Sequence, residues 1–191
     1  MKPAVFLDRD NTLIISDGYL GDPAGVVLIA GAAEAIARLR KLGFAVVTFS
    51  NQSGVARGMF GEEAVIAVNQ RMDRLLREQN GSAIIDRHEF CPYHPQAAVE
   101  KYRQDSDLRK PKPGMIHRAA AALDLDLSRS WVIGDAARDI EAGAAAGCRT
   151  ILINDPTLAP SPAALAGSAV RPDATVSSLA QAVEVIQRQS R

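Results

Sequence analysis

Short, continuous apolar runs alternate along the chain with longer stretches in which apolar residues recur every three or four positions. The runs at residues 4–7, 45–49, 131–133 and 150–153 have the length of buried strands, and weaker candidates lie near residue 84 and at 174–176. Strands that alternate with amphipathic helices are typical of a parallel sheet covered by helices. The helical spacing is seen in three groups: Val65, Val68, Met72 and Leu75; Ile116, Ala119 and Leu123; and Leu179, Val183 and Ile186.

Glycines and irregular segments mark where the predicted helices end and where loops should lie. Gly43, Gly81 and Gly147 each follow a helical pattern, in the position of a left-handed C-terminal cap. Two segments near residues 11–30 and 88–114 interrupt the alternation, and we predict that these loop insertions line a site, because long irregular segments in a compact domain are usually functional. A third segment, 155–172, is rich in Pro, Ala and Ser and predicts a surface loop.

Length and charge narrow the kinds of protein that the sequence can encode. A chain of 191 residues, 47% of them apolar, fits one domain spanning residues 1–191. The 22 basic and 22 acidic side chains cancel, which argues against nucleic acid or an acidic membrane surface as partner. The sequence has neither a long apolar stretch nor a signal-type N-terminus, so we expect a cytoplasmic protein. Its two cysteines are not needed as a disulfide at this size.

Polar side chains follow three of the predicted strands at the point where each strand ends. Because parallel strands bring their carboxyl ends to one edge of a sheet, we expect these side chains to converge. They are Asp8 and Asp10 after the first strand, Ser50 and Asn51 after the second, Asp135 and Asp139 after the third, and Lys110 before the helix that leads to the third.

This set of side chains suits phosphoryl transfer. Asp8 and Asp10 are two residues apart, so an extended backbone points both carboxylates to the same side, where a cation would relieve their repulsion. Carboxylate oxygens prefer Mg²⁺ over softer metals. One carboxylate can attack phosphorus while another gives and takes the proton. Each motif taken alone also fits a structural alternative, namely a helix-capping turn or a solvated basic patch.

Together, in this order, the four segments resemble the motifs of the haloacid-dehalogenase (HAD) superfamily of phosphatases. The resemblance implies a Rossmann-like three-layer α/β/α sandwich with a mainly parallel sheet and no large cap domain. It also implies Asp8 as nucleophile, Asp10 as general acid and base, and Ser50 and Lys110 as ligands of the phosphoryl group. Mg²⁺ would be held by Asp8, Asp135 and the Asp10 carbonyl. Asp139 would order the water shell of the metal or, alternatively, interact with the dipole of a helix start.

Four further segments carry a narrower resemblance: Asp17-Gly18-Tyr19 and residues 51–58, 91–95 and 109–115. They resemble segments of the D-glycero-D-manno-heptose 1,7-bisphosphate phosphatases, whose relatives include histidinol-phosphate phosphatases. The resemblance implies a sugar bisphosphate as substrate and activated-heptose biosynthesis as its setting. If the substrate is a bisphosphate, Arg109 can bind its second phosphate, because a guanidinium can donate two hydrogen bonds to one phosphate. The substrate-facing positions implied are Asp17, Gly18, Tyr19, Asn51, Gln52, Ser53, Arg57 and Arg109.

The sequence departs from this family at three places. Cys91 remains of a four-ligand zinc site that many relatives carry, but Tyr93, Ser106 and Leu108 stand where other ligands would be, so we expect no structural zinc. Asn11 replaces a common glycine, and asparagine tolerates the same left-handed backbone. Ala136 replaces a frequent lysine, which puts one substrate contact in doubt.

Two other functions compete with the heptose bisphosphate hypothesis. Histidinol phosphate carries a cationic amine that would favour acids at the mouth of the site, whereas Arg109 and Arg57 favour a second phosphate. A protein that binds a phosphorylated ligand without turnover is the alternative from another class, and the presence of every catalytic position argues against it. We expect a monomer, since nothing in the motif set calls for a second subunit.

Overall fold

The computed structural model describes residues 1–157 and 169–189. Most of the predicted loop at 155–172 therefore lies outside the described residues. The strands are β1 (Ala4–Leu7), β2 (Ala45–Asn51), β3 (Arg87–Cys91), β4 (Trp131–Gly134), β5 (Arg149–Ile153) and β6 (Ala174–Val176). The helices are α1 (Ala32–Lys41), α2 (Ser53–Ala56), α3 (Glu62–Gln79), α4 (Gly114–Leu123), α5 (Ala137–Ala145) and α6 (Leu179–Gln189).

All of these strands are parallel and form one sheet in the order β3-β2-β1-β4-β5-β6. The central strand β1 alternates its side chains between two cores, with Val5 and Leu7 on one face and Ala4 and Phe6 on the other. Helices α1, α3 and α6 cover the first face, and α4 and α5 cover the second. The predicted three-layer α/β/α sandwich is confirmed.

The strand expected near residue 84 is misplaced in the prediction. Strand β3 begins three residues later, at Arg87, and forms an edge of the sheet. Its first three residues are Arg87, His88 and Glu89, so it lacks the continuous apolar run of a strand buried on both faces. The irregular segment predicted from residue 88 therefore starts only after Cys91. Within it, the described backbone makes a short turn of 3₁₀ helix at Glu100–Tyr102.

Two of the three predicted glycine caps have the expected conformation. Gly43 and Gly147 have φ values of 90° and 77°. The prediction for Gly81 is wrong, since the helix before it ends at Gln79 and the extended residue Asn80 closes it. None of the helices in the described ranges is long and apolar enough to cross a membrane.

Candidate active site

An open cavity of about 650 Å³ lies at the carboxyl ends of the central strands. Most of the predicted site residues line it: Asp10, Asp17, Gly18, Tyr19, Asn51, Gln52, Ser53, Arg109, Lys110 and Asp135. The other four predicted residues contact side chains that line the cavity. Asp8 and Asp139 contact Lys110, Ser50 contacts Asp10, and Arg57 lies over Tyr19.

Three carboxylates meet at the floor of this cavity. Asp8 follows β1, Asp135 follows β4 and Asp139 lies in the first turn of α5, and one oxygen from each lies within 4.8 Å of the others. Oδ1 of Asp135 is buried and has no hydrogen-bond partner among the described residues. Burial, together with the charges of Asp8 and Asp139, raises the pKa of Asp135 to about 7. Groups of the protein therefore neutralise only part of the negative charge at the floor.

Lys110 supplies the cation that the protein itself brings to this cluster. Its ammonium lies 2.9 Å from Oδ1 of Asp8 and 2.6 Å from Oδ1 of Asp139, and it donates a hydrogen bond to the Phe49 carbonyl at 3.1 Å. Burial alone would lower the pKa of Lys110, but the two carboxylates outweigh burial and raise it. Lys110 is therefore held charged beside Asp8.

These residues fit a magnesium ion. Mg²⁺ prefers oxygen ligands, and the partnerless oxygen of Asp135 beside Asp8 offers two of them. Asp139 is differently engaged, because its Oδ2 accepts the Ala136 backbone N–H at 3.0 Å while its Oδ1 pairs with Lys110. Of the two alternatives for Asp139, these contacts support the one at the helix start.

Gly134 makes the close approach of Asp139 to the sheet possible. A Cβ atom at position 134 would lie 2.5 Å from the Asp139 side chain, a distance that real Cβ atoms do not adopt. The Gly-Asp pair at the end of β4 therefore contributes in two ways. Gly134 leaves room for the Asp139 side chain, and Asp135 supplies an oxygen to the floor of the cavity.

Asp10 is held by donors on both of its carboxylate oxygens. Arg9 donates to Oδ1 and Oδ2, and Ser50 and Gln52 donate to Oδ2 at 3.2 and 2.9 Å. Sequence analysis placed Gln52 against the substrate. In the structure its amide nitrogen also donates hydrogen bonds to Asp10 and Ser50, so Gln52 holds the Asp10 carboxylate in position.

The turn after Asp10 depends on Asn11. Its φ of 58° is left-handed, as predicted for an asparagine in place of glycine. Its side-chain oxygen accepts the Ser16 backbone N–H at 3.0 Å. This bond brings the segment 16–19 to the cavity wall, where its residues line the opening.

Guanidinium groups gather at one wall of the cavity. Arg109 is half-buried, donates to the Tyr93 carbonyl at 3.3 Å and lines the cavity. Burial lowers the pKa of Arg109, and the neighbouring charges of Arg138 and Arg57 lower it further. Arg57 lies 5.6 Å from the centre of the Tyr19 ring, at the rim. This wall is therefore suited to anions.

Arg138 is the lining residue that sequence analysis missed. It lies in the first turn of α5, three residues after Asp135, and its exposed side chain lines the same cavity as Arg109. Loss of water from the part of Arg138 that faces the site would lower its pKa, but the carboxylates of Asp139, Asp8 and Asp135 raise the pKa. Arg138 brings a positive charge to the cavity two residues after Ala136, the position at which the sequence resemblance implies a frequent lysine. A helix start at the carboxyl edge of the sheet was the signal that could have identified it.

Protein contacts stiffen the segment between Cys91 and Lys110. The buried Cys91 thiol contacts the Tyr93 carbonyl at 3.8 Å, and burial raises its pKa. The rings of Tyr93 and Tyr102 pack with centres 6.0 Å apart, and the Tyr102 hydroxyl donates to Glu62 at 2.8 Å. Tyr93 and Tyr102 therefore pack against each other, and Tyr102 also connects the segment to helix α3.

Comparison with known proteins identifies the class to which this fold and site belong. The HAD-hydrolase-like family model matches residues 107–182. The crystal structure of a HAD-like phosphatase from Mesorhizobium loti has a TM-score of 0.83 and 36% identity over 100% of this chain and 88% of its own. The heptose 1,7-bisphosphate phosphatase of B. bronchiseptica, solved with magnesium and phosphate, has a TM-score of 0.83 and 30% identity over 98% of this chain and 99% of its own. The molecule is a HAD-like phosphatase.

Sequence relatives narrow that class to one family. The D-glycero-β-D-manno-heptose-1,7-bisphosphate 7-phosphatase of Escherichia coli K12 is 40% identical over 78% of this chain and 76% of its own length. The enzyme of the same name from Vibrio cholerae is 41% identical over 80% of this chain and 81% of its own. The chain belongs to this family of phosphatases, and the resemblance found in the sequence is confirmed.

Proposed function

We propose that this phosphatase removes the 7-phosphate of D-glycero-D-manno-heptose 1,7-bisphosphate. The observation that carries the proposal is the presence of two places for anions in one cavity. The floor joins Asp8, Asp135 and Lys110, and the wall carries Arg109 and Arg138. A substrate with two phosphates fills both, and the family relatives are named for such a substrate.

Phosphoryl transfer begins at Asp8. Its Oδ1 is bound by the Lys110 ammonium and by the Arg9 backbone N–H at 2.7 Å, whereas no hydrogen bond from the described residues reaches Oδ2. Oδ2 attacks phosphorus, the bond from phosphorus to the sugar oxygen breaks, and an aspartyl phosphate forms. Asp10 gives its proton to the departing sugar oxygen.

Hydrolysis of the aspartyl phosphate reverses the role of Asp10. Its carboxylate takes a proton from water, the resulting oxygen attacks phosphorus, and the Asp8 carboxylate leaves with the electron pair of the broken bond. Inorganic phosphate and the original enzyme are the products. When bound by Asp8, Asp135 and the Asp10 carbonyl, Mg²⁺ supplies positive charge to the transferring phosphoryl group. Ser50 and Lys110 add hydrogen-bond donors on the same side.

The phosphate that is not hydrolysed is held by the arginines of the cavity wall. Arg109 and Arg138 offer it two guanidinium groups, and Arg57 lies at the rim. The sugar between the two phosphates faces the segment 17–19 and the polar side chains of Asn51 and Ser53. Histidinol phosphate brings an amine to the wall where the bisphosphate brings an anion, so guanidinium groups there disfavour it.

Three further expectations belong to the same proposal. We infer one domain over residues 1–191 that acts as a monomer, since loops of one chain line the whole cavity. We place the protein in the cytoplasm, where buried, unpaired Cys91 and Cys148 stay reduced.

Phosphate release tests the proposal. The purified protein is assayed with both anomers of the heptose bisphosphate, histidinol phosphate and 4-nitrophenyl phosphate, with Mg²⁺ and with a chelator. Phosphorus NMR identifies which phosphate leaves. We expect Mg²⁺-dependent loss of the 7-phosphate and no turnover by the Asp8→Asn variant. A higher kcat/KM for histidinol phosphate, loss of the 1-phosphate, or turnover by Asp8→Asn would contradict the proposal.

A further inference from the structure

Arg9 is buried beside the general acid and base. It stands between Asp8 and Asp10 in the first motif, and 1% of its surface is exposed. Its Nε lies 3.3 Å from Oδ1 of Asp10, and its Nη2 lies 3.1 and 3.2 Å from Oδ1 and Oδ2. A guanidinium stays charged at any ordinary pH, and burying one is costly unless it is paired. Within the described part of the chain, Asp10 is the acidic side chain that pairs with it.

Helix α3 anchors the other end of this guanidinium. Nη1 of Arg9 donates to Oδ1 of Asn69 at 3.1 Å, and Asn69 is itself buried. The backbone carbonyl of Arg9 accepts the N–H groups of Leu13 and Ile14, which fixes the start of the side chain as well. Arg9 is therefore held at its backbone and at its tip, and it cannot follow Asp10 if the carboxylate moves.

The two oxygens of Asp10 have different sets of partners. Arg9 donates to both oxygens, and Oδ2 also receives hydrogen bonds from Ser50 and Gln52. The contact of Arg9 with both oxygens fixes the plane of the carboxyl group. Asp10 itself is 24% exposed in its side chain, on the cavity side, so it reaches the substrate while Arg9 does not.

We propose that Arg9 is a positioning residue for the proton transfer of Asp10, and that Asn69 holds Arg9 in place. The inference rests on the proposed role of Asp10 as general acid. In that step the bond from phosphorus to the leaving oxygen breaks with its electron pair on oxygen, and that oxygen takes the proton from the Asp10 carboxyl group. Arg9 exchanges no atom and no electron. It keeps the Asp10 carboxyl group aimed at the leaving oxygen.

Leaving-group dependence separates this role from a merely structural one. A sugar oxygen needs a proton to leave, whereas the 4-nitrophenolate ion leaves without one. The variant Arg9→Gln should lower kcat/KM for the heptose bisphosphate about 100-fold, in the range of a lost general acid, and lower it less than about fivefold for 4-nitrophenyl phosphate. Asp10→Asn should show the same selectivity in its first half-reaction, the burst of 4-nitrophenolate.

A double variant tests whether the two residues act as one unit. If Arg9 works through Asp10, adding Arg9→Gln to Asp10→Asn should cost less than about threefold more in the rate of phosphate release from the bisphosphate. Multiplicative losses in the double variant would overturn the proposal. Equal losses of Arg9→Gln on the two substrates would overturn it too.

Milder variants cover the case in which Arg9→Gln does not fold. Asn69→Leu has a similar volume and removes the acceptor of Nη1, and we expect the same selectivity between leaving groups at about a tenfold loss. Asp73→Asn is the matched control on α3, since it removes the charge of a carboxylate that contacts His88 at 3.1 Å, away from Asp10. It should leave both substrates unchanged. If Asn69→Leu affected both substrates equally, the proposal would fail, while failure of the proposed function would show as an inactive wild type.

Discussion

The Lys110 ammonium and the Asp139 carboxylate lie 2.6 Å apart with both side chains almost completely buried. The pair joins the segment before α4 to the first turn of α5, and through Oδ1 of Asp8 it also reaches the end of β1. Two elements that both contact Asp8 or its neighbours are thereby fixed to each other.

Removing one charge of this pair should be costly. Asp139→Asn keeps the shape and the hydrogen bond to Ala136 but leaves Lys110 with Asp8 as its counter-ion. We expect a loss of about 3 kcal/mol in the free energy of unfolding, because a buried charge loses a partner, together with a lower kcat. Urea unfolding and steady-state kinetics measure both. Asp73→Asn removes a more exposed carboxylate and should cost less than about 1 kcal/mol. Equal stability of the two variants would refute the view that this pair is structurally important.

The raised pKa of Asp135 gives a pH dependence of stability. With a pKa of about 7 in the folded protein and 3.8 as the ordinary value, the native state binds more protons than the unfolded state between these values. Stability without metal should therefore fall as pH rises from about 4 to about 7. Mg²⁺ binds the ionised form, so its stabilising effect should be larger at about pH 8 than at about pH 6.

Thermal unfolding with chelator and with Mg²⁺, at both pH values, checks this prediction. In Asp135→Asn the group no longer titrates. The variant should lose the difference between the two pH values in its Mg²⁺ response while keeping the pH dependence of all other groups. An unchanged Mg²⁺ response in this variant would show that Asp135 is not the titrating ligand.

Arg138 should act on the substrate with two phosphates. Arg138→Ala removes one guanidinium from the wall, and we expect the KM for the heptose bisphosphate to rise about tenfold, as for one charge-assisted hydrogen bond. The KM for 4-nitrophenyl phosphate, which has no second phosphate, should change less than about twofold. Arg103→Ala, at an exposed arginine that pairs with Glu100, is the control. If Arg138→Ala weakened both substrates alike, the group would serve the reacting phosphate instead.

Gly134 should tolerate no side chain. Gly134→Ala would place Cβ 2.5 Å from the Asp139 side chain, so Asp139 must move away from Lys110 or the backbone must shift. We expect a loss of about 1–3 kcal/mol in stability and a marked loss of kcat. Gly81→Ala meets no atom within 4 Å and should change stability by less than about 0.5 kcal/mol. Chemical unfolding of the two variants side by side measures the contrast.

The sequence predicted the layers and the cavity well because both depend on local patterns. Continuous apolar runs mark buried parallel strands, and residues that follow such strands meet at one edge, as Asp8 and Asp135 do. Strand β3 was misplaced because an edge strand with Arg87 and Glu89 does not form an apolar run. Hydrophobic runs locate strands that are buried on both faces, and they fail for a strand at the edge of the sheet.

Other features could not be read because they depend on distant contacts. Arg9 looks like a solvated residue in the sequence, and its burial requires Asn69, which is 60 positions away. The ion pair between Asp139 and Lys110 likewise joins residues of two elements that are distant in the chain. Long-range pairing of this kind leaves no periodic trace in the chain.

Helix α3 holds two separate parts of the site in position, although none of its residues lines the cavity. Near its start, Glu62 accepts the Tyr102 hydroxyl and so steadies the segment that carries Arg109. Two turns later, Asn69 holds Arg9. A displacement of this one helix would disturb proton delivery and recognition of the distal phosphate together. Conversely, the loops at the mouth can change to suit a new sugar without disturbing the alignment of the reacting groups.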